Sequence, residues 1–196
     1  MKPEPARDVP SGPGDDLRAV VAALETFDAP DLAQAAVRQR ILDFVAAHPD
    51  ALHRSCHEGH LTASALVVDP STEQVLVLFH TKLQKWLQPG GHVDGDSDLA
   101  AGALREATEE TGIAGLQVLV PPVDLDIHEV RPPAEHPHLH LDVRFAVVAP
   151  PGASPVGNHE SQALRWVGVD ELPGLGADPG LVRLAEAGLA AVRARR

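Results

Sequence analysis

Residues 88–113 read QPGGHVDGDSDLAAGALREATEETGI, from Gln88 to Ile113. The second half of this stretch carries Glu106, Glu109 and Glu110 at i, i+3 and i+4. With 3.6 residues per turn, these three share one face of a helix. The spacing predicts that helix over about Leu99 to Thr111, capped by Asp96, Ser97 or Asp98 and stopped by Gly112 in a left-handed conformation. Ala100, Leu104, Ala107 and Thr111 form a separate stripe that can face a core. Like charges at i, i+4 repel by roughly 0.2–0.5 kcal/mol per pair on a bare helix. A hard divalent cation relieves that repulsion, because Mg²⁺ is held by one or two carboxylates together with waters and substrate phosphates. Upstream, Gly90–Gly91 lets the backbone approach an ion or a phosphate closely. An acidic cluster alone is ordinarily a solvated helix face, and Gly-Gly alone a turn. Their combination is what points to metal and phosphate.

This stretch resembles the Nudix box, G-x5-E-x7-R-E-U-x-E-E-x-G-U, where U is apolar. Gly91, Arg105, Glu106, Ala107, Glu109, Glu110, Gly112 and Ile113 fall in register with it. The one departure is Ser97, where the family has its first glutamate; Asp96 stands one residue earlier as a substitute. The resemblance implies an α/β fold, the Nudix α/β/α sandwich with a mixed β-sheet between helices. It also implies a pyrophosphohydrolase that uses Mg²⁺ or Mn²⁺ to cut a phosphoanhydride bond in a small diphosphate or nucleotide. By the same resemblance Glu106, Glu109, Glu110 and the Gly90 carbonyl bind metal, and Arg105 orients the carboxylates beside it. The general base varies within the family, between a box glutamate and an acid on a distant loop. Glu160, six residues before Trp166, is the loop candidate for a base or further metal ligand; its bland reading is an exposed glutamate.

Working outward, residues 1–16 are rich in Pro, Gly and charge and read as a disordered tail. Leu17–Phe27 and Leu32–His48 read as helices, and residues 17–55 as a helical extension preceding a Nudix domain at 56–196. Strands are expected at Leu61–Val68, Gln74–His80, Leu116–Val120, Leu125–Val130, His140–Ala149 and Leu164–Val169, with a last helix over Val182–Arg195.

The chain has 11 histidines. His136, His138 and His140 alternate, and Asp142 continues the series, so on a strand they share one side. Three readings stand: a polar sheet face, the lining of a substrate pocket, or a zinc site. His80 and His92 flank the glycine pair within reach of a phosphate, while His57-Glu58-Gly59-His60 shows no third ligand and reads as structural. Trp86 and Phe145 are candidates for stacking a base, with a plain core role as the alternative.

The net charge is −12, and an acidic chain without a basic face is not expected to bind DNA or an anionic membrane. One cysteine, Cys56, forms no internal disulfide. There is no signal-like segment and no apolar run long enough to span a bilayer, so the expected location is the cytoplasm. A homodimer is compatible with the helical extension. Two other functions compete with hydrolysis. One is a non-catalytic Nudix-fold sensing module, favoured by Ser97 and the extra helices. The other is a diphosphate isomerase, which needs a catalytic thiol that Cys56 does not match in position.

Overall fold

In the computed structural model, which describes residues 16–133, 136–157 and 161–196, each α-helix begins on an aspartate. Asp16 accepts from the backbone N–H of Arg18 at the start of α1 (Leu17–Glu25), and Asp31 from Gln34 at the start of α2 (Leu32–Ala47). Asp98 accepts from Ala101 to open α3 (Leu99–Thr111), and Asp178 from Leu181 to open α4 (Pro179–Arg193). Each cap satisfies a backbone donor that the first turn leaves without an intrahelical partner. Gly112 closes α3 at φ 65°, the left-handed stop expected of it. The expected tail, Asp16 apart, lies outside the described residues, as does Glu160.

The strands are β1 (Gly59–Asp69), β2 (Gln74–His80), β3 (Lys85–Leu87), β4 (Gly90–His92), β5 (Gln117–Val118), β6 (Asp124–Val130), β7 (His138–Val148) and β8 (Ser161–Val167). They form one mixed sheet whose main path is β3-β2-β1-β7-β5; β4 also pairs with β1, β6 with β7 and β8 with β2. The central pair, β1 and β7, is parallel, with Gly59 opposite Leu139 and Val68 opposite Val148. The glycine pair itself is a strand: Gly90 and Gly91 lie opposite Ser64 and Ala63 of β1. A 3₁₀ helix over Val169–Leu175 links β8 to α4. Neither β3 nor β4 was expected from periodicity, since three-residue segments are too short to show one; the 3₁₀ helix was not expected either.

The layers follow from strand alternation. Leu61, Ala63, Ala65 and Val67 of β1, with Leu141, Val143, Phe145 and Val147 of β7, face a core closed by α1, α2 and α3. Leu66 and Val68 of β1, with Ala146 of β7, face the opposite way and pack on α4 through Leu181, Leu184, Ala185 and Leu189. The result is the expected α/β/α arrangement. The core stripe of α3 is rotated from the expected one: Leu99, Ala103, Ala107 and Thr111 are buried, while Ala100 and Leu104 only flank the core. The N-terminal helices share the main core through Val20, Leu24, Ile41 and Val45. Gln34 of α2 ties them to the sheet, because its amide donates to the Leu125 carbonyl and accepts from the Leu125 N–H, each at 3.1 Å.

Candidate active site

The box is assembled by two neighbours of β1: β4 pairs with it and brings Gly90 and Gly91, and α3 packs on it and brings the glutamates. The Gly90 N–H donates to Glu110 Oε2 at 3.0 Å, and Glu110 is 5% exposed. Arg105 Nη2 donates to the His92 carbonyl at 3.0 Å and to Glu106 Oε1 at 2.9 Å, so one guanidinium ties α3 to β4. The Glu106 hydrogen bond, with the charges of Glu109 and Asp96 behind it, raises the Arg105 pKa and secures its charge. A Cβ on Gly91 would sit 2.6 Å from Glu106 Oε2, so glycine leaves the space that this carboxylate occupies. Glu106 is half-buried and Glu109 exposed. Asp96 Oδ1 accepts from the Asp98 N–H at 2.9 Å, so it shapes the loop where the family glutamate is replaced.

The donor set suits a hard divalent ion: carboxylate oxygens on one helix face, against a strand with no side chain in the way. The carbonyl of Gly90 and the three glutamates are the groups available to hold it.

On the α4 side of the sheet, the strand registers build a polar field beside the box. Ser64, Arg144 and Asp124 lie across β1, β7 and β6; Thr62, Asp142 and Asp126 form the next row; His60, His140 and His128 form the third. Asp142 accepts from Thr62 at 3.0 Å, from Ser64 at 2.8 and 2.9 Å, and from Arg144 Nε at 2.7 Å. Arg144 also pairs with Asp124 at 3.2 Å and Asp126 at 3.1 Å, and Arg183 of α4 pairs with both as well. Burial works against the Arg144 charge, but Asp142, Asp126 and Asp124 outweigh it and raise its pKa. Burial raises the Asp124 carboxyl despite Arg183 and Arg144. The same burial acts on Asp126, where the His128 hydrogen bond and the Arg144 charge win and bring it down to about 2. Asp142 was visible as the end of an alternating series. Extending that alternation to Arg144, and matching it to Thr62-x-Ser64, is the signal that would have found the rest.

In the histidine row, the His60 ring centroid lies 4.9 Å from those of His92 and His138 and 5.0 Å from that of His140. Burial, then the neighbouring imidazoles, pulls His60 down to about 4 and His140 to about 3, so both rings are neutral near pH 7. The Cys56 backbone opposes this weakly for His60, from outside hydrogen-bond geometry.

Other sequence-derived candidates fall elsewhere. Phe145 is 1% exposed in the core on the opposite sheet face, so it has no surface for a base; this corrects the stacking role. Trp86 is half-buried on β3, edge-on to Phe79 at 5.3 Å between ring centroids. His80 Nδ1 accepts from the N–H groups of Lys82 and Leu83, both at 3.2 Å, and holds a turn. His136 lies before β7, with Nε2 2.8 Å from the His57 carbonyl. Cys56 is buried, and burial with an Asp50 hydrogen bond pushes its thiol up to about 11, which removes the thiolate an isomerase would need. Among the described residues no helix is long and apolar enough to cross a membrane.

A family model described as the NUDIX domain matches residues 59–186. The chain is similar in structure to a NUDIX-family hydrolase from Clostridium perfringens, at 21% identity and TM-score 0.57, over 68% of this chain and 97% of that one. It is also similar to the E. coli dihydroneopterin triphosphate pyrophosphohydrolase, at 17% identity and TM-score 0.55, over 67% and 95% of the two chains. A C. elegans Ap4A hydrolase, solved as a binary complex, matches at 18% identity and TM-score 0.52, over 69% and 98%. No curated protein matches the chain by sequence.

Proposed function

The chain belongs to the NUDIX family, and from that membership we propose that it is a metal-dependent pyrophosphohydrolase. Its substrate is a nucleoside-diphosphate-linked compound or another small diphosphate, as the names of the E. coli and C. elegans neighbours suggest. The observation that carries the reading is the joint geometry of box and strand: Glu110 on the Gly90 N–H, Arg105 between Glu106 and the His92 carbonyl, and Gly91 clearing Glu106.

Glu106, Glu109, Glu110 and the Gly90 carbonyl would hold Mg²⁺ or Mn²⁺. When bound, the ion supplies positive charge for the phosphoryl oxygens and acidifies water. Arg105 holds Glu106 in place through one Nη2 bond, shared with the His92 carbonyl. The Gly90 N–H holds Glu110 in place through its Oε2. A carboxylate takes a proton from the attacking water. The new bond forms between that oxygen and phosphorus, the bond from phosphorus to the bridging oxygen breaks, and the second phosphate leaves with the bridging oxygen. The base is a box glutamate or Glu160.

The test is release of phosphate or nucleotide from a panel of nucleoside triphosphates, dinucleotides and nucleotide sugars. It is run with Mg²⁺, with Mn²⁺ and with chelator. Turnover should need the metal, and Glu110→Gln should lower kcat by about 10²-fold or more, within the range for a lost acid–base or metal-linked carboxylate. The amide keeps an oxygen for the Gly90 N–H, so the fold should survive. Wild-type turnover in Glu110→Gln would overturn the assignment. Nucleotide binding without turnover in the wild-type chain would favour the sensing module that Ser97 raises.

A further inference from the structure

The histidines around the buried His60 are not explained by the carboxylate site. His60 is 2% exposed, and among the described residues neither of its ring nitrogens has a hydrogen-bond partner. Burying a polar group without a partner forfeits its hydrogen bonds to water, so such a group calls for a partner of some kind. The fold supplies its neighbours. Parallel pairing of β1 and β7 sets His60 directly opposite His140, and His138, two residues earlier on β7, lies on the same face. One nitrogen from each of the three rings lies within 4.8 Å of the others. His138 Nδ1 is 3.0 Å from the His136 carbonyl. A carbonyl only accepts, so Nδ1 carries the proton and Nε2 keeps the lone pair. That is the usual way a protein orients an imidazole toward a metal.

We propose that His60, His138 and His140 form a second metal site, for a transition-metal ion of the zinc class. Three neutral imidazoles are the ligands of such an ion, whereas Mg²⁺ takes oxygen. At bond lengths of about 2.0–2.1 Å, tetrahedral ligands stand roughly 3.4 Å apart. The three rings therefore close inward slightly by rotating side chains, with the strands unmoved. The fourth position falls to water or to His92, whose ring centroid is 4.9 Å from that of His60 and 5.2 Å from that of His140. His60 lies at the start of β1, and His138 and His140 at the start of β7, so the ion clasps the entry of the two central parallel strands. Through His92 it adjoins the strand that carries Gly90 and Gly91.

The test uses full-length protein stripped with chelator and returned to excess Mg²⁺, which saturates the carboxylate site. Zn²⁺ is then titrated by calorimetry, and Co²⁺ by its visible absorption. One equivalent should bind, Co²⁺ should give the intense bands of a tetrahedral site, and Zn²⁺ should raise the melting temperature. His140→Gln, at a half-buried position, should weaken Zn²⁺ by about 100-fold or more, as loss of one of three ligands does. His138→Gln should do the same, so a folding failure in one variant leaves the other to decide. Glu110→Gln and His57→Ala should bind Zn²⁺ like wild type. The proposal is overturned by the absence of saturable Zn²⁺ binding under Mg²⁺. It is equally overturned by unchanged affinity in folded His138→Gln or His140→Gln, or by loss of binding in Glu110→Gln or His57→Ala.

Discussion

Gly91→Ala separates the carboxylate geometry from the stability of the fold. The added Cβ would stand 2.6 Å from Glu106 Oε2 and 2.7 Å from its Cδ, where ordinary contact begins at 3.4 Å. The carboxylate must therefore retreat by about 0.7–0.8 Å, the difference between those distances. It is the free end of a flexible side chain, so the strand does not have to move. Gly91 has no positive φ that alanine would strain, and replacing glycine at a compatible position stabilises by about 0.4–1 kcal/mol through the unfolded chain. Folding stability should thus stay within about 1 kcal/mol of wild type. The effect on chemistry is larger. A retreat of that size is a third or more of a metal–oxygen bond of about 2.0–2.1 Å, and misplacement on the order of 1 Å costs about 10²-fold in rate. The assay is kcat and KM on the best substrate of the panel, beside a urea titration. Gly90→Ala is the contrast: its Cβ would lie 2.9 Å from Ser64 Cα, a backbone atom that cannot swing away, so stability itself should fall, by about 1–3 kcal/mol. Wild-type kcat in Gly91→Ala would refute the role given to Glu106. A loss of stability equal to that of Gly90→Ala would refute the claim that only the carboxylate yields.

Gln34→Ala should destabilise the protein by about 1–3 kcal/mol, since it leaves the buried N–H of Leu125 without its Gln34 acceptor and the Leu125 carbonyl with the longer Arg183 bond at 3.4 Å; an unchanged urea midpoint would mean that α2 does not anchor the sheet edge. Asp126 is held down at about 2, below its ordinary 3.8. A depressed carboxyl stabilises the fold above its unfolded value and loses that contribution as pH falls from 3.8 through 2. Asp126→Asn should therefore be less stable than wild type at pH 5, with the gap narrowing toward pH 2; an equal gap at both pH values would refute the ion-pair account.

Much of the box was legible because its logic is local. Helical spacing of Glu106, Glu109 and Glu110, the cap at Asp98 and the stop at Gly112 all lie within one helix and its ends. The alternation of His138, His140 and Asp142 was equally readable as one face of a strand. The same alternation puts Phe145 with Leu139, Leu141 and Val143 on the opposite, apolar face, so its core position was legible too and the stacking role ran against it. His60 read as structural because its neighbours in sequence offered no third ligand.

Sequence by itself determined the helix, its acidic face, the glycines set against it and the family they signal, because helix geometry converts spacing directly into a face. Only tertiary structure decided what stands beside that site. It paired His60 with His140 and Thr62 with Asp142 across some 80 residues of chain, and brought Arg183 of α4 onto Asp124 and Asp126 of β6. Partner and register in a parallel sheet come from long-range backbone hydrogen bonds and packing on both faces, and no spacing within either strand carries that information.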